Sequence, residues 1–127
     1  MIIVDTSVWV AVLRSNHAPE AGILASLIDA DEVALPAPVR IELLSGASRR
    51  NMTQLRRQLS ALPILYPTDE TWTTLHRWIE RAIDAGQRFG VGDLLVAALA
   101  DEVGRLIWSL DQDFERMAKL KLIGLYG

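Results

Sequence analysis

Short apolar runs alternate with longer amphipathic segments along most of the chain. The apolar runs are rich in β-branched residues and leucine, a composition typical of strands buried in a parallel sheet. They predict strands over residues 1–4, 33–35, 64–66, 106–108 and 122–125. The segments between them predict helices over residues 7–14, 19–30, 38–46, 52–62, 69–85, 94–103 and 111–120. Strands that alternate with helices indicate an α/β fold, with a mainly parallel central sheet covered by helices on both faces.

The clearest helix is the one predicted over residues 69–85. Its apolar positions fall on one stripe and Gly86 follows as a terminator. The stripe consists of Trp72, Leu75, Ile79, Ala82 and Ile83. Trp78 falls beside this stripe, so we expect it at an interface with another protein chain. The other tryptophans, Trp9 and Trp108, are expected in the core or at an interface, although aromatic rings also stack on bases.

Length and composition restrict the class of protein. The 127 residues suit one domain, which we expect to span residues 1–127, and half of them are hydrophobic. The absence of cysteine excludes disulfides and zinc ribbons. No apolar run approaches the roughly 20 residues of a membrane span, so we expect a soluble cytoplasmic protein with no membrane contact. A net charge of −3 argues against a generic basic nucleic-acid binder, but bound metal can supply positive charge in a nuclease.

Four acidic residues occupy positions that could converge. Asp5 directly follows the first predicted strand, and Asp111 follows the strand at 106–108. Asp93 lies at a helix start after a Gly-Val-Gly loop, and Glu42 lies between two apolar residues of a helix. Sites in open α/β sheets form at the carboxyl ends of the strands, so these side chains are candidates for one acidic pocket.

Each acid also has an ordinary structural explanation. Asp5 and Asp93 could be helix N-caps, and Glu42 could form an ion pair with Arg40 or Arg49. Taken together the acids favour a cation site, because two carboxylates about 5 Å apart repel by roughly 3 kcal/mol at an effective dielectric of 20. Such a group must take up protons or bind a cation. Oxygen ligands alone favour Mg²⁺ or Mn²⁺.

At these residues the chain resembles the PIN domain family, and more narrowly the VapC-type toxins of bacterial toxin–antitoxin pairs. The matching segments lie in the family's order over essentially the whole chain. They are residues 2–7 (IIVDTS), 39–43 (VRIEL), 90–98 (GVGDLLVAA) and 108–114 (WSLDQDF).

The resemblance implies a three-layer α/β/α sandwich and a metal-dependent endoribonuclease that inhibits translation and growth. It implies Mg²⁺ or Mn²⁺ as cofactor, RNA as substrate, a homodimer and a cognate VapB-like antitoxin that blocks the site. The matching catalytic acids are Asp5, Glu42, Asp93 and Asp111, of which Asp5, Asp93 and Asp111 hold metal. Supporting positions are Ser7, Ser109 and Asp113; serine at 109 is a mild departure from the threonine of many relatives.

Basic residues offer candidate contacts to RNA phosphates. The candidates are Arg14, Arg40, Arg49 and Arg50, with Arg56, Arg57 and Arg88 as further possibilities. A solvated basic helix face explains the arginine pairs equally well. His17 and His76 are expected at the surface, so the chemistry assigned to the acids needs no histidine.

Three other functions remain open from the residues. An aspartate-nucleophile phosphatase usually has a second acid two residues after the first, where this chain has Ser7. A receiver-like module would need paired acids after the first strand and a lysine after a late strand. A PIN-like protein that binds RNA or a partner without cutting it is the main alternative.

Overall fold

The computed structural model describes residues 1–127 as a parallel sheet of four strands with seven helices. The strands are β1 (Ile2–Val4), β2 (Val33–Pro36), β3 (Ile64–Leu65) and β4 (Leu106–Trp108). Their order across the sheet is β3-β2-β1-β4, and each neighbouring pair is parallel. The predicted α/β class with a parallel sheet is therefore confirmed.

The helices connect the strands and follow the last of them. They are α1 (Thr6–Arg14), α2 (Pro19–Asp29), α3 (Ala37–Gly46), α4 (Arg49–Ser60), α5 (Asp69–Asp84), α6 (Val91–Glu102) and α7 (Gln112–Lys119). All four residues of β2 are buried. Because successive side chains of a strand point to opposite faces, this burial requires cover on both faces of the sheet. The result is the expected three-layer arrangement.

The register of the sheet decides where the site forms. Val4, the last residue of β1, pairs with Trp108, the last residue of β4. The backbone N–H of Asp5 then donates to the carbonyl of Trp108 at 2.9 Å. The residues that follow these two adjacent strands consequently leave the sheet side by side, although they are distant along the chain.

Two of the five predicted strands differ clearly from the structure. The fifth, at residues 122–125, is wrong: only Leu125 forms an isolated parallel bridge, to Ile107. The backbone N–H of Ile107 bonds to Gly124 and its carbonyl to Tyr126, so this segment closes the sheet edge without becoming a full strand. The strand at 64–66 ends at Leu65, and Tyr66 is 63% exposed.

Two helices, α4 and α6, begin a turn earlier than predicted. α4 begins at Arg49 because the Ser48 hydroxyl accepts from the Asn51 N–H at 3.3 Å. α6 begins at Val91, with Gly90 as its N-cap. Asp93 therefore lies inside the first turn of α6, and the explanation of Asp93 as an N-cap is wrong.

The prediction for the face of α5 was also wrong. The buried residues are Thr71, Thr74, Leu75, Trp78 and Ala82, which recur at helical spacing. Trp78 is only 6% exposed and belongs to the core of the chain itself, so the interface assigned to it is overturned. The apolar stripe failed because two threonines occupy buried positions; the Thr71 hydroxyl accepts from the Thr68 N–H at 2.9 Å.

Three residues of that predicted stripe are instead substantially exposed. Trp72 is 47% exposed, Ile79 41% and Ile83 46%. His17 and His76 are exposed as expected, and Trp9 and Trp108 are buried. One hydrophobic cluster of 24 buried residues forms the core. None of the helices is both long enough and apolar enough to cross a membrane.

A candidate metal centre at the ends of β1 and β4

Asp5 lies at the junction between β1 and α1 and is buried, with 5% of its surface exposed. It is the N-cap of α1: its Oδ2 accepts from the Ser7 N–H at 3.3 Å. The same oxygen accepts from the hydroxyl of Ser7 at 2.8 Å and from that of Ser109 at 2.9 Å. The structural explanation of Asp5 as a cap is thus correct, and it leaves Oδ1 without a hydrogen bond.

The two serines fix Asp5 against the loop that follows β4. Their hydroxyl oxygens are 3.1 Å apart, and the Leu110 N–H donates to the Ser7 hydroxyl at 2.9 Å. The Asp111 N–H donates to the Ser109 hydroxyl at 3.0 Å. Both serines therefore connect Asp5, which follows β1, to the loop that carries Asp111 after β4.

Three aspartates lie close enough to share one cation. A carboxylate oxygen from each of Asp93, Asp111 and Asp113 lies within 4.8 Å of the other two. Asp111 is the N-cap of α7, where its Oδ1 accepts from the Asp113 N–H at 2.9 Å. Asp113 was expected only to support the site, whereas the geometry places it beside Asp93 and Asp111.

The neighbouring acids contribute to a raised pKa of Asp93. Burial, the charges of Asp5 and Asp111, and both the hydrogen bond and the charge of Asp113 raise its pKa to about 7. Burial is the largest cause, and the other four causes all come from three neighbouring carboxylates. Without a cation this carboxyl loses its proton only as the pH rises through about 7.

Glu42 joins the same group from α3. Burial raises its pKa, as does the charge of Asp5, while the nearby Thr6 hydroxyl lowers it. That hydroxyl is buried and its contact falls short of hydrogen-bond geometry, so its effect is the smallest of the three. A Cβ placed on Gly92 would lie 3.7 Å from the Glu42 carboxylate, so Glu42 also lies against the start of α6.

Very little positive charge offsets these acids. The chain contains two ion pairs: Met1 with Glu32, and Arg116 with Asp113. The alternative that Glu42 pairs with Arg40 or Arg49 is therefore wrong. Four of the five acids have no basic partner, and their oxygens are the donor set that Mg²⁺ and Mn²⁺ favour. The residues present fit a divalent cation.

Of the predicted RNA-binding arginines, Arg14 lies beside one of the acids. Arg14 and Glu42 line the same cleft of about 520 Å³ between α1, α3 and α4. Arg49 and Arg50 are exposed at the start of α4, and Arg40 is half-buried with an unpartnered Nε. Contact between these side chains and RNA stays a prediction.

Two polar residues of this region were missed by the sequence analysis. Thr6 appears there only within the matching segment 2–7, and Arg116 is not singled out at all. The spacing of Asp113 and Arg116, three residues apart on a predicted helix, is the signal that would have identified the ion pair.

Comparison with known proteins places this geometry in a family. The sequence profile of the PIN domain matches residues 2–120. The chain belongs to the PIN domain family. Ribonuclease VapC11 of Mycobacterium tuberculosis is 34% identical over 125 residues, which cover 94% of this chain and 93% of that relative. Ribonuclease VapC18 of the same organism is 30% identical over 122 residues, covering 92% and 87%.

Solved structures share the PIN fold at lower identity. The DNA-bound VapBC of Salmonella typhimurium matches with a TM-score of 0.82 at 17% identity, covering 98% of this chain and 96% of that one. FitAcB of Neisseria gonorrhoeae matches with a TM-score of 0.80 at 22% identity, covering 100% and 97%. These matches agree with the α/β fold that the sequence predicts. The resemblance of the sequence to PIN domains and VapC-type proteins is also confirmed.

Proposed function

We propose that this PIN domain is a divalent-cation-dependent endoribonuclease and the toxin of a VapBC-type toxin–antitoxin pair. Its relatives VapC11 and VapC18 are ribonucleases that match nearly the whole chain. The observation that carries the proposal is a group of three aspartates, Asp93, Asp111 and Asp113, whose carboxylates lie within reach of one cation. The charge of Asp5 acts on both Asp93 and Glu42, and one arginine offsets these acids. Such a group is stable at neutral pH only with protons or a cation bound.

The acids divide into ligands and positioning groups. Asp5, Asp93 and Asp111 are the proposed ligands of Mg²⁺ or Mn²⁺, with Asp113 beside them. A bound cation supplies a Lewis acid that lowers the pKa of water and offsets charge on the scissile phosphate. Glu42, whose pKa is raised, is suited to orient the attacking water and hold a proton at its carboxyl oxygen.

Ser7 and Ser109 act through Asp5. They hold Oδ2 in three hydrogen bonds, counting the Ser7 N–H, so Oδ1 is the oxygen available to a cation. This preorganisation is what a ligand carboxylate requires from the groups behind it.

The proposed partner is a VapB-like antitoxin that covers the acidic site. The VapBC of Rickettsia felis bound to promoter DNA has the same fold, with a TM-score of 0.80 at 20% identity. Assembly of this chain into a homodimer, and location in the cytoplasm, belong to the same proposal.

Incubation of the purified chain with RNA tests the activity. We expect cleavage with Mg²⁺ or Mn²⁺ and none with EDTA. Asp5→Asn and Asp93→Asn should each abolish both cleavage and growth arrest on expression, whereas Asp29→Asn, an exposed acid on α2, should leave both unchanged. Intact RNA under every metal condition would favour a PIN-like binding module, and cleavage by the two site variants would overturn the site.

A further inference from the structure

Arg116 on α7 is held by three groups. Its Nη2 donates to Asp113 Oδ1, one turn earlier on the same helix. Its Nη1 donates to Gln87 Oε1, and its guanidinium carbon lies 5.0 Å from the centre of the Phe89 ring. A planar guanidinium holds its donors in a rigid fork and can lie over an aromatic ring at the same time, whereas an ammonium group is a compact charge without a fixed fork.

These contacts connect the two helices that carry the aspartate triad, which consists of Asp93, Asp111 and Asp113. Gln87 and Phe89 belong to the segment that leads directly into the N-cap of α6, and Asp93 lies in the first turn of that helix. Asp111 and Asp113 belong to the N-cap and first turn of α7. Arg116 therefore links the start of α6 to the start of α7, beside the carboxylates that must face one another.

The ion pair with Arg116 also restricts the orientation of the Asp113 carboxylate. Arg116 donates to Asp113 Oδ1, and an oxygen of the same carboxylate lies within 4.8 Å of an oxygen of Asp93 and of Asp111. The hydrogen bond therefore restricts rotation of this carboxylate relative to the other two, whereas an unpaired carboxylate could rotate freely.

We propose that Arg116 is a positioning residue that sets the spacing of Asp93 and Asp113 and so makes the site select small divalent cations over Ca²⁺. The inference rests on the proposed function. Mg²⁺ requires nearly octahedral coordination at about 2.0–2.1 Å, whereas Ca²⁺ accepts six to eight ligands at about 2.3–2.6 Å in flexible arrangements. Three aspartates held at a fixed spacing would suit the smaller ion.

The preference of the site for Mg²⁺ over Ca²⁺ distinguishes a positioning role of Arg116 from the effect of its charge. Removing a positive charge near the site strengthens the binding of any divalent cation by a similar factor, because Mg²⁺ and Ca²⁺ carry the same charge. Loosening the triad weakens Mg²⁺ binding and spares Ca²⁺. The ratio of the two dissociation constants therefore reports positioning, with the charge effect cancelled.

Isothermal titration of the full metal-free chain with Mg²⁺ and with Ca²⁺ tests the inference. Arg116→Gln should move the ratio of dissociation constants toward Ca²⁺ by about 10-fold or more, as is typical when a group behind a metal ligand is lost. Arg116→Lys keeps the charge but not the planar fork, and should move the ratio nearly as far. Lys119→Gln removes one exposed positive charge from the same helix and should leave the ratio unchanged.

Two further variants distinguish a loss of positioning from a general loss of folding. Gln87→Leu keeps the Asp113–Arg116 pair and removes only the link to α6, so it should move the ratio in the same direction by a smaller factor. In an Asp113→Asn background, Arg116→Gln should add much less than it does alone, since its main route to the cation is gone.

The outcomes distinguish this inference from the proposed function. If Arg116→Gln changes both dissociation constants by one factor, or neither, Arg116 acts through charge or not at all and the inference is wrong while the metal site stands. If the wild-type chain binds neither ion, the proposed function and the inference are both overturned.

Discussion

Asp5 and Ser109 are 104 residues apart in the chain, and the Ser109 hydroxyl donates to Asp5 Oδ2 at 2.9 Å. The parallel pairing of β1 with β4 produces this contact, because it aligns the last residues of the two strands. One hydroxyl thus orients a buried carboxylate that the sequence presents simply as the residue after a strand. The serine at this position keeps the polar atom that a threonine would supply.

Ser109→Ala should weaken both the fold and the proposed activity. It removes a hydrogen bond to a buried carboxylate, and bonds to charged groups contribute about 1.5 kcal/mol or more to the free energy of unfolding. We expect a loss of that size in urea denaturation and roughly a 10-fold fall in metal-dependent cleavage. Ser109→Thr should restore both.

The matched control for this change is Ser26→Ala, at an exposed serine of α2. It should alter neither quantity. Full activity of Ser109→Ala with normal stability would contradict the role of the serine in orienting Asp5.

The metal-free fold should become more stable as the pH falls from about 8 to about 5. Asp93 keeps its proton up to a pKa of about 7 in the folded chain, whereas an aspartate in an unfolded chain has a pKa of about 4. The folded state therefore binds more protons in this window, and the stability gained is lost as the pH rises through 7. Because Asp93 is half-exposed, solvent screening limits the effect to about 1–2 kcal/mol.

Thermal unfolding in EDTA across this pH range measures the effect. Asp93→Asn should remove most of the pH dependence and raise the melting temperature at pH 8. Asp101→Asn, at an exposed position of the same helix, should preserve the wild-type slope. A melting temperature that rises steadily with pH would show that the Asp93 carboxyl is not strained by its neighbours.

Divalent cations should reverse this dependence. A cation that binds only the folded chain raises its melting temperature by mass action, and protons compete for the same carboxylates. Added Mn²⁺ should therefore raise the melting temperature more at pH 8 than at pH 5.5. Equal shifts at both pH values would indicate binding outside the acidic group.

The two tryptophans of α5 should respond differently to truncation. Trp78→Ala should cost about 3–5 kcal/mol of unfolding free energy, because Trp78 is 6% exposed and its loss leaves a cavity. Trp72→Ala should cost less than about 1 kcal/mol, since Trp72 is 47% exposed. Urea denaturation of both variants measures the difference, and a larger loss for Trp72 would contradict the observed packing of α5.

The sequence predicted the sheet well because its strands are buried on both faces. Such strands appear as uninterrupted apolar runs, and four of the five predicted runs form strands. The run at 122–125 misled because three of its four residues are leucine or isoleucine, yet only Leu125 finds a partner in the ladder. Pairing at a sheet edge depends on tertiary geometry that no local pattern contains.

The face of α5 could not be read from hydrophobicity because a threonine can be buried once its hydroxyl is satisfied. Thr71 meets that condition through the backbone of Thr68, and the stripe rotates accordingly. The site was more accessible to prediction: acids that follow strands or begin helices must meet where parallel strands end. Arg116 was not, because its partners Gln87 and Phe89 come from a loop whose course the sequence does not specify.

The pairing of β1 with β4 also orders events during synthesis. A ribosome that has released only the first three strands has produced Asp5 and Glu42 but neither the hydroxyl of Ser109 nor the two aspartates of α7. The nascent chain therefore carries no assembled acidic pocket until nearly all of it has been translated. Whatever the finished protein does to RNA, it cannot do to the messenger or the ribosome while most of its own chain is still being made.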